Sequence, residues 1–596
     1  VVVRTNDSGI AIATTARLSV RLDGGAVEPT VRVEPGIAAA QSLIDVGVTE
    51  GQSLEVDKVV AMFTSNDADS PGPLAAATAA VADSSFDEVR AASERAWQAI
   101  WDRADVAIDG DRLSQKILRM HLYHCFVTAS PHSAALDVGV PARGLHGEAY
   151  RGHIFWDELF ILPLYNLHFP EIAKASLLYR YRRLDKARDY AREHGYAGAM
   201  YPWQSGSDGR EETPTVHLNP VSGEWGPDYS SLQRHVSLAV AFSAWEYYSA
   251  TQDTEFLRDY GAEMFVELAR FWAGISRLNS ETGRYEISGV MGPDEFHEKY
   301  PGADAGGVKD NGYTNIMVAW LLRTTARVLG AIGPEARQRI AAKTGLKDEE
   351  AEAWDDIAAR LNLCISDDGV LEQFDGYFEL EDLDWDAYRQ KYRSIGRMDR
   401  LLKAEGKSPD EYKVAKQADA LMPFFVLPDY ELRTILGSLG YEPGPDLLRR
   451  NFSYYLERTS HGSTLSRLVH ADLANRAGYA EVSWELFRRA LLSDYADTQE
   501  GTTKEGIHTG VMAGTVLLAL GAYAGLDLSG PEVSVAPCLP ARWRSMRFNV
   551  GFRGVRYYFE VDREKVTVRV DRPATVAVGG ATHSLAADVW STLDVE

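Results

Sequence analysis

Over residues 1–64 apolar and polar positions alternate, broken by Asn-Asp-Ser, Asp-Gly-Gly and Glu-Gly-Gln, a period-two pattern that predicts short antiparallel strands of a β-sandwich. Residues 65–80 (SNDADSPGPLAAATAA) concentrate Ser, Asp, Pro, Gly and Ala and read as a linker. A charged helix follows over 85–102, with Trp97 and Trp101 at i and i+4 on one face. From about residue 111 to 524 the period is that of helices: Val236, Val240, Ala244 and Tyr248 form one apolar stripe, and Met264, Leu268, Phe271 and Trp272 another. Roughly a dozen such segments are separated by Gly, Pro, Asn and Asp. After residue 527 the alternation returns (SMRFNVGFRGVRYYFEVDREKVTVRVDR), so the chain is expected to end in a small β-domain. The divisions expected are a partial N-terminal sandwich over 1–80, a helical linker over 81–110, a helical domain over 111–526 and a β-domain over 527–596.

Long loops interrupt the helices at 139–158, 201–235, 289–315, and 458–466 with 502–508. Loops of that length inside a compact domain are usually functional. Helices carrying polar and aromatic loops at one end predict a helical barrel with its site at that end. The charge-dense stretch 342–409 is expected to be an outer face or insertion without a catalytic role, because a charge run is usually solvated.

Composition narrows the partners. The chain of 596 residues is 45% hydrophobic and carries a formal charge of −24. Such a charge repels phosphate backbones and anionic lipid, which argues against nucleic acid and membranes. Cys125, Cys364 and Cys538 lie far apart with no CxxC spacing, so neither a zinc site nor a disulfide framework is expected, and a reducing cytoplasm fits. No apolar run has the length of a membrane span, and the N-terminus lacks the organisation of a signal peptide. Val1 opens inside a strand pattern, so residues before it are expected to be missing.

The candidate chemistry sits in the loops. In GVMGPDEFHEKYPGA (289–303), Gly and Pro bracket Asp294-Glu295 between helical stretches, so the turn presents carboxylates that could serve as an acid catalyst. Alone, an Asp-Glu pair among 86 acidic residues is ordinarily a solvated turn. Phe155-Trp156-Asp157 offers an aromatic face for a sugar ring beside a carboxylate for its hydroxyls, although core packing of the two aromatics is an equal reading. His146 and His153 lack ligand spacing to another His or Cys, so hydrogen bonding is favoured over a metal. The loop 201–235 mixes Trp203, Gln204, Arg210, Glu211, His217, Asn219, Trp225, Asp228, Gln233 and His235, a set costly to bury without a ligand. Lys416-Gln417, at the start of an apolar helix, can bind adjacent hydroxyls. The run RTSHGSTLS (458–466) leads hydroxyls and free N–H groups into a helix start, which suits an oxyanion, and GTTKEGIH (501–508) adds Lys504 and His508 as charge partners. Taken separately, each is also an ordinary capped helix start.

Together, GEAYRGHIFWDE, GVMGPDEFHEKYPGA, AKQADALM, RTSHGSTLS and GTTKEGIHTGVMAGT, in this order, resemble glycoside hydrolase family 65, the inverting phosphorylases and hydrolases of α-glucosides. The similarity is to its actinobacterial branch. The resemblance implies a mainly α protein with flanking β: an N-terminal β-sandwich, shortened in this chain, a helical linker, an (α/α)6 barrel and a C-terminal β-domain. It implies Glu295 as general acid, Trp156, Asp157, Lys416 and Gln417 in the glucose subsite, and His461, Gly462, Ser463, Thr464 and His508 around phosphate. Trp203, Gln233 and His235 are expected on the acceptor side. No cofactor or metal is implied beyond inorganic phosphate as co-substrate, and a homodimer is usual for such proteins. Thr464 departs from the second Ser of many phosphorylases but keeps the hydroxyl.

An inverting glycosidase needs a second carboxylate to activate water, whereas a phosphorylase brings an anionic nucleophile. Residues 459–466 contain no Asp or Glu, which favours phosphate and products β-glucose 1-phosphate and a sugar from a trehalose, kojibiose or nigerose type of disaccharide. Glu457 and Glu505 keep hydrolysis open, as in a phosphate-stimulated trehalase. Asp294 and aromatic walls are expected to keep Glu295 protonated. A non-catalytic carbohydrate-binding protein is the alternative of another class. A lyase of acidic polysaccharides is disfavoured by an expected acidic cleft with few clustered Arg and Lys.

Overall fold

The computed structural model describes residues 1–67, 72–498 and 502–595; residues 68–71 of the expected linker and Gly501 of the expected anion loop lie outside the described residues. Two compact units are present, Val1–Arg103 and Ala104–Glu596. In the first, strand Ala11–Leu22 pairs antiparallel with Leu54–Thr64, and Val2–Arg4 and Gly25–Val27 extend that sheet. Val31–Gly36 and Ala39–Ile44 form a separate antiparallel ribbon. Helix Pro73–Ala82, started by a proline whose missing N–H costs nothing there, packs on both long strands and buries Ala77 and Val81. Trp97 and Trp101 of helix Phe86–Ala104 stack with ring centroids 5.9 Å apart, as their spacing predicts.

The second unit is built on a closed ring of helices. Glu158–His168, Val236–Thr251, Gly312–Ala331, Met422–Val426, Thr464–Arg476 and Thr509–Leu518 each pack on the next, and the last returns to the first. A second layer, with Arg112–Thr128, Pro170–Arg182, Ala262–Ile275, Asp429–Ser438 and Ala480–Leu491, packs outside it. This is the (α/α)6 barrel expected of the sequence. The inner helices are buried around most of their circumference: in Val236–Thr251 not only Val236, Val240 and Ala244 but also Leu238, Ala239, Ala241 and Phe242 are buried. A helix enclosed between a central axis and an outer layer has no polar face to keep, so the single stripe read from the sequence understated its burial.

The chain closes in two sheets. One runs Ser591–Asp594, Lys565–Val570, Val555–Val561, Ser545–Phe552 and Ala107–Asp109; the other runs Leu526–Asp527, Val533–Val535, Ala574–Val578 and Ala581–Leu585. Residues 107–109, expected within a helical linker, are thus an edge strand, with Ile108 buried opposite Met546. Among the described residues no helix is long and apolar enough to cross a membrane.

Candidate active site

The barrel gathers its loops through the N-termini of the inner helices. Asp157, His235, Asn311, Ser463 and His508 each stand immediately before one of them. Their loops line a single cavity of ≈ 1220 Å³ that contains Trp156, Asp157, Trp203, Glu295, Lys416, Gln417, His461, Gly462, Ser463, Thr464 and His508. Gln233 and His235 do not line it. They are buried below, where the His235 ring meets Trp156 and Trp203 edge-on at centroid distances of 4.9 and 5.4 Å. Gln233 Oε1 lies 3.3 Å from His235 Nε2, while Gln233 Nε2 and His235 Nδ1 have no partner among the described residues. Burial lowers the His235 pKa to about 3, so this ring is a neutral support for the indoles.

Glu295 is presented by a strained turn. Its φ is +63°, left-handed backbone that costs a non-glycine residue about 1–3 kcal/mol and is found where a side chain must be aimed. Gly292 permits the turn, because a Cβ there would lie 2.0 Å from Asp419 Oδ2. Lys416 Nζ donates to Glu295 Oε2 at 2.6 Å, and Gln417 Nε2 donates to Oε1 at 3.1 Å and to the Pro293 carbonyl at 2.6 Å. Gln417 Oε1 is buried without a partner among the described residues and so offers an acceptor. Lys416 and Gln417 do not open the apolar helix, as the sequence suggested: Met422–Val426 starts later, and Ala415 instead bridges to Thr459.

Asp294 does not serve Glu295. Its carboxylate is fully buried and 2.6 Å from His297 Nδ1, and His297 Nε2 donates to the Tyr412 carbonyl at 3.0 Å. Burial alone would lower the His297 pKa, but the Asp294 carboxylate overrides it and the value is raised. Asp419, hydrogen-bonded by Asn311 at 2.9 Å, is pushed well above the usual carboxylate range by burial and then by Asp294. The i, i+3 spacing of Asp294 and His297 was visible in the sequence, but not that it points inward.

The loop 459–466 is tied to Glu295 through one residue, Lys416. The Lys416 carbonyl accepts from Gly462 N at 2.9 Å, while Lys416 Nζ holds Glu295. A Cβ on Gly462 would lie 2.0 Å from the Gly396 carbonyl, so only glycine fits there. Ser463 caps Thr464–Arg476 by accepting from Leu465 N at 3.3 Å. His461, also left-handed with φ +55°, bonds Ser466 at 2.9 Å through Nδ1; burial, then His470 and Arg467, holds its pKa well below the usual value, so it is not a countercharge. Arg467 is the cation at this loop. It lines the cavity, and its buried Nη1 has no partner among the described residues.

His508 connects Asp157 to the loop that leads into helix Thr464–Arg476. Its Nε2 donates to Asp157 Oδ1 at 2.8 Å and its Nδ1 meets the Thr464 hydroxyl at 2.6 Å. Interlocked loops fix it: Gly144 N donates to the Ile507 carbonyl at 2.8 Å, and Thr509 N to Ala142 at 3.0 Å. Below Asp157, Arg180 Nε donates to Glu158 Oε2 at 2.8 Å and Nη2 to the Phe155 carbonyl at 2.9 Å, with both side chains buried. Arg180→Leu strands Glu158 in the core and is expected to destabilise the protein by about 3–5 kcal/mol. Urea denaturation reads this as a lower midpoint; an unchanged midpoint would show that the pair has no structural weight.

Three expectations about charge are corrected here. Among the described residues ten Lys and Arg against four Asp and Glu line the cavity, so this lining is cationic although the chain is strongly acidic. Part of the charge-dense stretch 342–409 is cavity wall: Arg389, Arg393, Arg397 and Arg400 belong to it. Phe296, Leu383, Tyr388, Met398, Leu402 and Val414 form a buried apolar cluster that fastens this segment beside the acid turn. Sequence shows that a run is charged but not which way it faces. Glu457 is 81% exposed in its side chain and outside the cavity, whereas Glu505 lines it. Among the described residues no cluster of three or more His, Cys, Asp and Glu could hold a metal. His153 Nδ1 instead meets Gln204 Nε2 at 2.9 Å, and His146 Nε2 meets the Thr503 carbonyl at 3.2 Å.

Comparison with known proteins bears on this geometry. Residues 119–517 match the glycosyl hydrolase family 65 central catalytic domain, residues 1–100 its N-terminal domain and residues 526–585 its C-terminal domain. An uncharacterized glycosyl hydrolase of Mycobacterium tuberculosis is 43% identical over 569 residues, covering 95% of this chain and 43% of that protein. The trehalose 6-phosphate phosphorylase of Lactococcus lactis subsp. lactis is 38% identical over 596 residues, covering 100% of this chain and 75% of that protein. The chain therefore spans less than half the length of the mycobacterial relative. A solved structure from the human microbiome, described as a candidate kojibiose phosphorylase, shares the fold with a TM-score of 0.78 at 22% identity, covering 100% of this chain and 73% of that one.

Proposed function

The chain belongs to glycosyl hydrolase family 65, and from that premise we propose that it cleaves an α-linked glucose disaccharide by inverting phosphorolysis. Phosphate, held by Ser463, Thr464 and Arg467, attacks C1 of the glucose; the C1–oxygen bond breaks, and Glu295 gives its proton to the leaving oxygen. The products are β-glucose 1-phosphate and a free sugar. Trp156, Asp157 and Gln417 hold the glucose, with Gln417 Oε1 accepting from a hydroxyl, and Trp203 faces the acceptor sugar. The observation that carries the reading is Arg467: a cavity-lining guanidinium whose buried Nη1 has no partner among the described residues, beside a loop, 459–466, free of carboxylates. An anion, not a water-activating base, completes such a site.

Hydrolysis is favoured by one observation, the presence of Glu505 on the cavity wall. The two separate in a single screen of trehalose, kojibiose, nigerose and maltose, each with and without inorganic phosphate. Phosphorolysis predicts sugar release that depends on phosphate and appears with equimolar glucose 1-phosphate. Glucose released at the same rate in both buffers would establish hydrolysis instead.

A further inference from the structure

A second cavity, of ≈ 970 Å³, lies at the other end of the barrel. Each inner helix reaches it from its C-terminal half: Asn166, Ser249, Arg327, Val426, Asp472 and Leu518 all line it, and Phe552 and Arg553, where strand Ser545–Phe552 ends, complete it. Its walls are aromatic, with Phe160, Phe242, Trp245 and Phe425 among them. The two cavities share a partition, because the Phe160 ring stacks on Phe425 with centroids 5.7 Å apart and meets Trp156 of the first cavity edge-on at 5.3 Å.

The polar groups of this cavity are short of donors. Asn166 is 5% exposed, and its Oδ1 has no partner among the described residues. Pro163, inside the same helix, withholds the N–H that the Leu159 carbonyl would otherwise accept from, and both residues line the cavity. Among the described residues the lining holds five carboxyl groups and three guanidiniums, with no Lys or His. All three guanidiniums are engaged: Arg327 donates to Glu431, Arg476 pairs with Asp472 at 3.6 Å, and Arg553 donates to the Ser249 and Pro531 carbonyls at 3.2 and 3.0 Å. Asp429 accepts from Arg433 at 2.6 Å and Asp527 from Ser529 N at 2.8 Å. Glu246 alone is left with no hydrogen bond or ion pair among the described residues. Burial and then Glu431 raise its pKa to about 7, so above neutral pH it is a charge without a counter-ion.

We propose that this cavity binds an organic ammonium cation, with Glu246 as its counter-ion, Asn166 Oδ1 as a further acceptor and the aromatic walls around its apolar body. An anion would meet Glu246 and find no guanidinium to spare. A wholly apolar guest would leave Glu246 and Asn166 Oδ1 unsatisfied, which costs free energy. An ammonium head supplies a charge and three donors, and aromatic faces attract a cation that has left water. The site does not depend on the reaction proposed for the first cavity.

Calorimetry at pH 8 tests this with phenethylammonium, phenethyl alcohol and 3-phenylpropionate, which carry the same ring and differ in charge, and with glucose. The cation is expected to bind one to one and about tenfold or more tighter than the alcohol, and neither 3-phenylpropionate nor glucose should displace it. Glu246→Gln, with its fold checked by circular dichroism, should weaken the cation about tenfold and erase its advantage over the alcohol. Asn166→Leu removes only the amide acceptor and should weaken it several-fold, which keeps the test open if the first variant does not fold. Equal affinity for cation and alcohol, no binding of the cation at millimolar concentration, or binding that neither variant changes would each overturn the proposal. Displacement of the cation by glucose would overturn it in favour of a second sugar site.

Discussion

Glu295→Gln is expected to lower kcat for disaccharide cleavage by about 10³-fold, the weight of a lost general acid. The amide is isosteric and keeps an acceptor for Lys416 Nζ, which meets Oε2 at 2.6 Å, so the turn at 292–295 should hold its shape. Circular dichroism and the denaturation midpoint should therefore match the wild type, and phosphate should bind as before. The loss should fall with a better leaving group, because an aryl oxygen needs little protonation. A variant that cleaves natural disaccharides within tenfold of the wild-type rate would remove Glu295 from the acid role.

Asp157→Ala is expected to lower kcat/KM by roughly 10²–10⁴, since it removes two charge-assisted hydrogen bonds of about 1.5–3 kcal/mol each. One is the proposed bond to a glucose hydroxyl, and the other is the bond from His508 Nε2 at 2.8 Å. Because His508 also meets Thr464 at 2.6 Å, freeing its ring should disturb the anion side. KM for phosphate is thus expected to rise together with KM for the sugar, a joint change that loss of a sugar contact alone does not produce. Steady-state kinetics with each substrate varied in turn would reveal it. An unchanged KM for phosphate would show that the His508 contact does not couple the subsites.

The parts of this site that the sequence exposes are those where local chemistry contradicts a helix. Gly292-Pro293 before Asp294-Glu295, Gly462-Ser463 and Gly506 break helical runs and place polar residues at the breaks. Gly462-Ser463 and Gly506 stand just before the inner helices that start at Thr464 and Thr509, and the Gly292-Pro293 turn lies in the long loop that leads to the inner helix starting at Gly312, so the loops could be read as one end of a barrel. Direction and distant pairing were not readable. Asp157 and His508 meet across 351 residues, and nothing in either loop names the other. Asp294 and Glu295 are neighbours whose side chains part, one toward buried His297 and one toward the cavity, because left-handed backbone at Glu295 turns the chain between them. Arg393, Arg397 and Arg400 were hidden for a different reason. They lie in a polar run, and only the apolar cluster around Met398 and Leu402, assembled from residues 296 to 414, turns them inward.

The central claim is that the nucleophile facing Glu295 is an anion held by the loops at 463–467 and 508, and that it attacks C1 with inversion. Proton NMR of the first turnovers, with the cleaved α-disaccharide in phosphate buffer, tests it most directly. The account predicts β-configured glucose 1-phosphate as the initial product, absent when phosphate is omitted. Free glucose as the initial product at an unchanged rate, or glucose 1-phosphate appearing first as the α-anomer, would contradict it.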